Sequence, residues 1–328
     1  MIRAAIAGLG RWGRSFVEAA LGSERIRFVQ GVETADMAAG EAARSFSSKH
    51  GLGLTRDLGR VLADPGIDAI VLATPHSLHR EQVIACAQAD KPVFCEKPLA
   101  LSLADARAMI EACDSAGVVL GVGHNRRFWP AIRELKRIVD SGALGELLHV
   151  EGHNSNENSN RVLDGWRLSA AESPGGGMTG AGLHVLDTFT MLFGPVRRVS
   201  SQRLIRKPGP APLDTVSAMY GFANGASGLL ATIRATPFFW RIHVFGTAGS
   251  AEVLGETEIV LHGREAKPRR MTLAPVNSLL AELEAFADAI RGHAPFPVTH
   301  AQMLDTTAAF EATLRALETG LPIEVNAG

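Results

Sequence analysis

The chain has few cysteines, almost no net charge and no long hydrophobic run. Its three cysteines, Cys86, Cys95 and Cys113, are odd in number and lack metal-ligand spacing. A disulfide framework and a cysteine-held zinc are therefore excluded, and the apolar surroundings suit reduced core thiols in a cytoplasmic protein. A net charge of -1 leaves no electrostatic footprint for nucleic acid or an acidic membrane. No apolar run is long enough to span a bilayer. The N-terminus reads as a strand, not as a charged leader before an apolar core. HExxH and GxSxG are both absent, which removes a common helix-borne metal site and the usual serine elbow; no metal is expected. What remains is an ordinary globular composition, 46% hydrophobic and 20% charged, over 328 residues that suggest two domains.

The first 33 residues carry the strongest local signal. An apolar run, Arg3-Ala4-Ala5-Ile6-Ala7, leads into Gly8-Leu9-Gly10-Arg11-Trp12-Gly13, and a helical pattern follows (Trp12, Phe16, Ala19, Ala20). Strand, glycine turn and helix are the context a dinucleotide fingerprint requires. Gly8 allows the tight turn, Gly10 lets a pyrophosphate approach the backbone, and Gly13 lets the helix pack close to the strand. Phosphates then sit at a helix N-terminus, where free N–H groups and the dipole favour negative charge. A second strand, Ile26 to Val32, ends in Glu33, the position of a ribose-binding acid.

Strand and helix patterns alternate up to about residue 122. Helices are expected near 38–50, 58–63, 80–88 and 102–116, and strands at 69–73, 92–95 and 118–121. Ser102 with Asp105 has capping-box spacing, and Gly117 stops the helix that follows. Ala69-Ile70-Val71-Leu72-Ala73 is continuously apolar, as a strand buried on both faces should be. Repeated βα units imply a doubly wound parallel sheet. The pattern then changes: a helix near 131–141, a strand near 147–152, and a polar stretch, His153 to Asn160, that reads as a loop. Gly175-Gly176-Gly177 precedes a helix at about 183–193. Strands then follow without helices between them, at 196–204, 216–222, 227–235, 241–245 and 251–254. Helices near 278–291 and 302–319 and a final short strand close the chain. The expected domains are 1–122, α/β with a parallel sheet, and 123–328, α+β with a mostly antiparallel sheet.

Two loops lie where ligands bind in open α/β sheets, at the carboxyl ends of parallel strands. Ala73-Thr74-Pro75-His76-Ser77-Leu78-His79 brings backbone towards a cofactor, although a plain turn capped by Ser77 accounts for it equally. Glu96-Lys97-Pro98 places a lysine that can polarise a substrate hydroxyl, and the Lys97–Pro98 bond is a candidate cis peptide. An exposed surface lysine is the alternative. His153 and the Asn-rich loop either face a hydroxyl-rich ligand or are simply solvated. His124, Arg126 and Arg127 form either a cleft cluster or a solvated helix entry.

Taken in order, Gly8-Leu9-Gly10-Arg11-Trp12-Gly13, Ala73-Thr74-Pro75…His79 and Glu96-Lys97-Pro98 resemble the Gfo/Idh/MocA oxidoreductases. The resemblance continues in Asn125-Arg126-Arg127-Phe128, Trp166-Arg167, Gly175-Gly176-Gly177…Gly182-Leu183-His184…Asp187 and Phe245-Gly246-Thr247-Ala248-Gly249. It implies a Rossmann domain followed by an α/β domain with a large open sheet, whose face commonly makes homodimers or homotetramers. It implies Lys97 at the active site and His184 as the proton acceptor or donor towards the substrate hydroxyl. It also implies Gly8, Gly10 and Gly13 at the pyrophosphate, Glu33 on the adenosine ribose, and Thr74, Pro75 and His79 on the nicotinamide side. Arg11, Trp12, His76 and Glu96 of the same loops belong with the cofactor. Arg127, Trp166, His153 and Thr179 belong with the substrate. Glu33, and the lack of Arg or Lys at 34–38, favour NAD over NADP.

The expected reaction is hydride transfer between the nicotinamide and a carbinol or carbonyl carbon of a sugar, cyclitol or acid derivative. Two rivals are an NAD-dependent glycosidase of the same family and a non-catalytic cofactor-binding sensor. One departure bears on all three. The family places an Asp four residues before the His, and here that position is Gly180. Asp187 or Glu157 would have to supply the missing acid, or Lys97 and His184 would have to suffice with help from Thr179 or a substrate carboxylate.

Overall fold

The computed structural model describes residues 1–33, 37–157, 166, 169–207, 213–264 and 267–325. Arg167 and the tail of the polar stretch, 158–160, lie outside the described residues. The chain divides into two compact units, residues 1–125 with 277–303, and residues 126–276 with 304–328.

The first unit is built on six parallel strands: β1 (Ile2–Ala7), β2 (Ile26–Val32), β3 (Gly53–Thr55), β4 (Ala69–Leu72), β5 (Val93–Glu96) and β6 (Leu120–Gly123). Their order is β3-β2-β1-β4-β5-β6, so the strand order reverses between β1 and β4. The apolar run of β4 is buried along its whole length, as its composition requires. The helix over residues 103–116 carries the expected capping box. The Ser102 hydroxyl accepts from the Asp105 N–H at 3.1 Å, and Gly117 closes the helix in the left-handed region at φ 66°. Cys86, Cys95 and Cys113 are free and buried in this unit. Burial pushes the Cys86 thiol up to about 12 and the Cys113 thiol to about 11, so both stay protonated and inert.

A single domain boundary near residue 122 misses one connection. The segment 277–303 returns to the first unit because its apolar stripe completes that core. Phe286 packs edge-on against Phe94 at 5.7 Å, and Phe296 does so at 6.3 Å.

The second unit holds a nine-stranded sheet. With β7 (Leu147–Ser155), β8 (Val196–Lys207), β9 (Leu213–Phe222), β10 (Ser227–Ile233), β11 (Phe239–Gly246), β12 (Gly249–Leu254), β13 (Glu258–Gly263), β14 (Arg269–Thr272) and β15 (Ile323–Glu324), the order is β14-β13-β12-β11-β7-β10-β9-β8-β15. The β7–β10 pairing is parallel and the other described pairings are antiparallel. The final strands of the sheet, β13 and β14, are absent from the sequence reading. The polar loop expected from His153 is corrected at its start, because His153, Asn154 and Ser155 continue β7. This strand is bonded to β10 on one side and β11 on the other, so its backbone is satisfied whatever its side chains. Asn154 and Ser155 are 2% and 1% exposed, and the Asn154 amide donates to the Ala181 carbonyl at 2.9 Å.

One face of this sheet is covered by a helix, α7 (Leu183–Phe193). At Gly152 a Cβ would stand 2.2 Å from Val185 and 2.8 Å from Phe189, so glycine is what lets α7 lie so close. The opposite face, with Glu151, His153, Met219, Leu229 and Arg241, has no such cover among the described residues; Met219 is 63% exposed and Leu229 43%.

Candidate active site

The glycine turn sits at the end of β1, and its three glycines do different work. Gly8 has φ +89°, and a Cβ there would lie 2.5 Å from the Ala73 carbonyl oxygen of the neighbouring loop. Gly13 approaches Gly8 so closely that its Cβ would fall 1.8 Å from the Gly8 oxygen. At Gly10, by contrast, a Cβ would meet nothing within 4 Å among the described residues. That opening faces the first turn of α1 (Arg11–Ala19), which has no side-chain cap and no acidic residue in its first turn. Its N–H groups suit an anion such as a pyrophosphate. Glu33 Oε2 accepts the Leu9 N–H at 2.8 Å, which fixes the carboxylate beside the same turn. The Arg11 guanidinium leans on Trp12, 5.4 Å from the ring centre. The residues present therefore fit a dinucleotide.

The loops after β4 and β5 are tied together by one buried ring. His79 has no exposed surface. Its Nδ1 is 2.9 Å from the Pro98 carbonyl oxygen, and its Nε2 is 3.2 Å from that of Thr74. His79 thus positions both loops and has no surface to offer a ligand. Thr74 donates to Gln82 Oε1 at 2.6 Å. Ser77 does not cap the helix α4 (His79–Gln88), because a 3-10 turn over His76–Leu78 comes first. The Lys97–Pro98 bond is cis. The Lys97 N–H donates to Glu96 Oε2 at 3.0 Å, and Glu96 itself is buried.

In the second unit the two neighbouring arginines part company. Arg127 makes a forked pair with Asp187, from Nε and Nη2, at 2.7–3.1 Å, and both side chains are buried. Asp187 is thereby held on Arg127. Arg126 instead stacks on Trp129 at 3.8 Å, Trp240 at 5.0 Å and Phe238 at 5.5 Å. Its Nε is buried with no hydrogen-bond partner among the described residues. Burial pushes the guanidinium down to about 9, against the pull of Glu256. The arginine not joined to a carboxylate is therefore Arg126, a distinction that two adjacent arginines do not reveal in sequence.

His184 is buried in the first turn of α7, directly after a π turn over Met178–Gly182. Such turns concentrate at functional sites. The Thr179 hydroxyl donates to the Pro174 carbonyl. His153 meets the Ser155 hydroxyl and lies on the opposite face of the sheet from α7, hence from His184. Burial, with Arg241 close by, pushes its imidazole below the ordinary range. Trp166 is half-buried. Glu157 is exposed.

Gly180, where the missing acid would stand, is exposed, and a Cβ there would meet nothing within 4 Å among the described residues. A side chain fits. Gly180→Asp is expected to fold normally and to place a carboxylate four residues before His184, on the same helical face. It should raise the His184 pKa, so the acid limb of the kcat/KM profile moves to higher pH. A folded variant whose acid limb stays in place would show that His184 is not the group titrating there.

Comparison with known proteins gives the family and the fold. Residues 2–124 match the model of an oxidoreductase family with an NAD-binding Rossmann fold, and residues 132–252 match the GFO/IDH/MocA C-terminal domain. The chain is 29% identical over 308 residues to 1,5-anhydro-D-fructose reductase of Ensifer adhaerens, covering 88% of this chain and 89% of that one. It is 27% identical over 346 residues to scyllo-inositol 2-dehydrogenase (NAD(+)) of Bacillus subtilis, covering 99% and 96%. Its fold is like that of a levoglucosan dehydrogenase solved with NADH and levoglucosan, at a TM-score of 0.86 and 22% identity, covering 99% of this chain and all of the other.

Proposed function

This chain belongs to the Gfo/Idh/MocA family of NAD-binding Rossmann-fold oxidoreductases, and from that premise we propose that it moves hydride between nicotinamide and a hydroxyl-bearing carbon of a sugar, cyclitol or acid derivative. When bound, NAD supplies the hydride acceptor or donor. Lys97 orients and polarises the reacting hydroxyl, and His184 exchanges its proton. Thr74 and Pro75 border the nicotinamide, with His76 beside them, while His79 and Glu96 hold their loops in place. Arg127 and Thr179 act by fixing α7 and the π turn before it, and Trp166 borders the substrate. His153, on the other face of the sheet, has no part in the chemistry. An acid derivative would find in Arg126 a guanidinium not already joined to a carboxylate.

The observation that carries this reading is the glycine turn, open at Gly10, with the Glu33 carboxylate fixed 2.8 Å from the Leu9 nitrogen. A carboxylate there can take the ribose hydroxyls of NAD and repels the 2′-phosphate of NADP. In fluorescence titrations NADH is expected to bind at least ~10-fold more tightly than NADPH, worth about 1.4 kcal/mol. Glu33→Ala should narrow that ratio by weakening NADH. Equal affinity for the two nucleotides in the parent protein would overturn the assignment to NAD, and binding of neither would end the enzyme reading.

The uncovered sheet face, with Met219 and Leu229 exposed, supports a homodimer or homotetramer formed there, which light scattering tests. No helix among the described residues is long and apolar enough to cross a membrane. The buried free thiols support a reducing, cytoplasmic setting.

A further inference from the structure

The helix α8 (Ser278–Ile290) carries a carboxyl group for which the hydride chemistry has no use. Glu282 is fully buried, and neither of its oxygens has a hydrogen-bond partner among the described residues. An unpaired carboxylate there would be very costly, so its surroundings must explain it.

Those surroundings follow from register. Phe94 and Glu96 lie two apart on β5 and so share a face. Opposite them on β6 stand two glycines, Gly121 against Phe94 and Gly123 against Glu96. A Cβ on Gly121 would press on Phe94 and Phe286, at 3.0 and 3.2 Å, and one on Gly123 would stand 2.9 Å from Glu96 Oε1. The glycines thus leave a trough over this end of the sheet. Phe286 of α8 comes down on it, against Phe94. The start of the helix is at the carboxyl end of the strands, because Asn125, just after β6, donates to the Ser278 hydroxyl at 3.2 Å. One turn back from Phe286, about 6 Å along the helix, is Glu282. Two residues on from Phe94, about 6.6 Å along the strand, is Glu96. Both carboxyls therefore lie on the carboxyl-end side of the Phe94–Phe286 contact, immediately before Lys97.

We propose that Glu282 is a positioning residue for Lys97: it stands as the neutral acid over Glu96, so that the two carboxyls carry one proton and one negative charge between them. Glu96 is the charged member and holds the Lys97 N–H. Close carboxyls cannot both ionise in a buried site. Burial first, and the charge of Glu96 second, hold the Glu282 carboxyl well above the usual carboxylate range. Arg25, just before β2, pairs with Asp288 and Glu284, and Glu18 of α1 faces His50. The inference rests on the role given to Lys97 above.

The test joins infrared spectroscopy with kinetics on the full chain. The parent protein should show a protonated-carboxyl carbonyl band at pH 7 that is missing from Glu282→Gln. Glu282→Gln, whose neutral amide likewise leaves the negative charge on Glu96, should keep kcat within about threefold. Glu282→Leu should fold, since an apolar residue suits the trough, yet lose about tenfold or more in kcat with KM changed by less than about threefold. No such band in the parent, or Glu282→Leu with the parent's kcat, would overturn the proposal. If Glu282→Leu does not fold, the band and the kcat of Glu282→Gln decide alone. Lys97→Ala separates the two readings: full activity in that variant removes the role of Lys97, whereas the band reports Glu282 whatever Lys97 does.

Discussion

Gly13→Ala is expected to cost at least ~100-fold in NADH affinity, about 2.7 kcal/mol, and to destabilise the first unit as well. The added Cβ would fall 1.8 Å from the Gly8 carbonyl oxygen, and both partners of that clash are backbone. Neither has an easy way out. Gly8 already holds a left-handed φ of +89° with the Ala73 backbone against it, so α1 would have to withdraw from the turn. Overpacking of this kind usually costs ~1–3 kcal/mol, and a clash between backbones belongs at or above the top of that range. Gly10→Ala is the matched control. Its Cβ meets no atom of the described residues within 4 Å, so it should unfold like the parent protein while binding NADH more weakly, through the space it takes from the ligand. Fluorescence titration with denaturant unfolding on both variants checks the pair. Parent-like NADH binding by Gly13→Ala would mean that the turn does not hold the nucleotide.

Asp187→Ala should strongly destabilise the second unit. It leaves the Arg127 guanidinium buried without the carboxylate that now takes its forked hydrogen bonds. Removing one partner of a buried ion pair typically costs ~3–5 kcal/mol, whereas replacing both by apolar residues of similar volume is often close to neutral. Arg127→Met with Asp187→Leu should therefore recover most of the stability lost by Asp187→Ala alone. If Arg127 instead served a substrate, Asp187→Ala would cost less than about 1 kcal/mol in denaturant unfolding and would act mainly on KM.

Much of the fold is legible in sequence because its signals are local. Gly8, Gly10 and Gly13 between an apolar run and a helical one define the first turn, and Ser102, Asp105 and Gly117 bound their helix by capping chemistry that needs no tertiary partner. The capped helix is found where its caps place it. What depends on distant partners is not legible. His153 to Ser155 look too polar for a strand until β10 and β11 supply their hydrogen bonds. Arg126 and Arg127 are indistinguishable until Asp187, sixty residues on, selects one of them. Glu282 did leave a trace: it lies one turn before Phe286, on the stripe that enters the core, where a carboxylate is out of place. The absence at Gly180 was visible from the start, but only the structure shows that the position has room for the missing side chain.

The return of residues 277–303 to the first unit has an evolutionary consequence. Residues 126–276 are, in effect, an insertion in the nucleotide-binding core, leaving at Asn125 and re-entering at Asn277. The exit and the re-entry are neighbours, since the Asn125 amide is hydrogen-bonded to Ser278. An insertion with adjacent ends can be lengthened, rebuilt or exchanged without stretching the host. The core and its glycine turn can thus stay unchanged while the inserted cassette is revised for a new substrate, with only the tail at 304–328 having to keep pace.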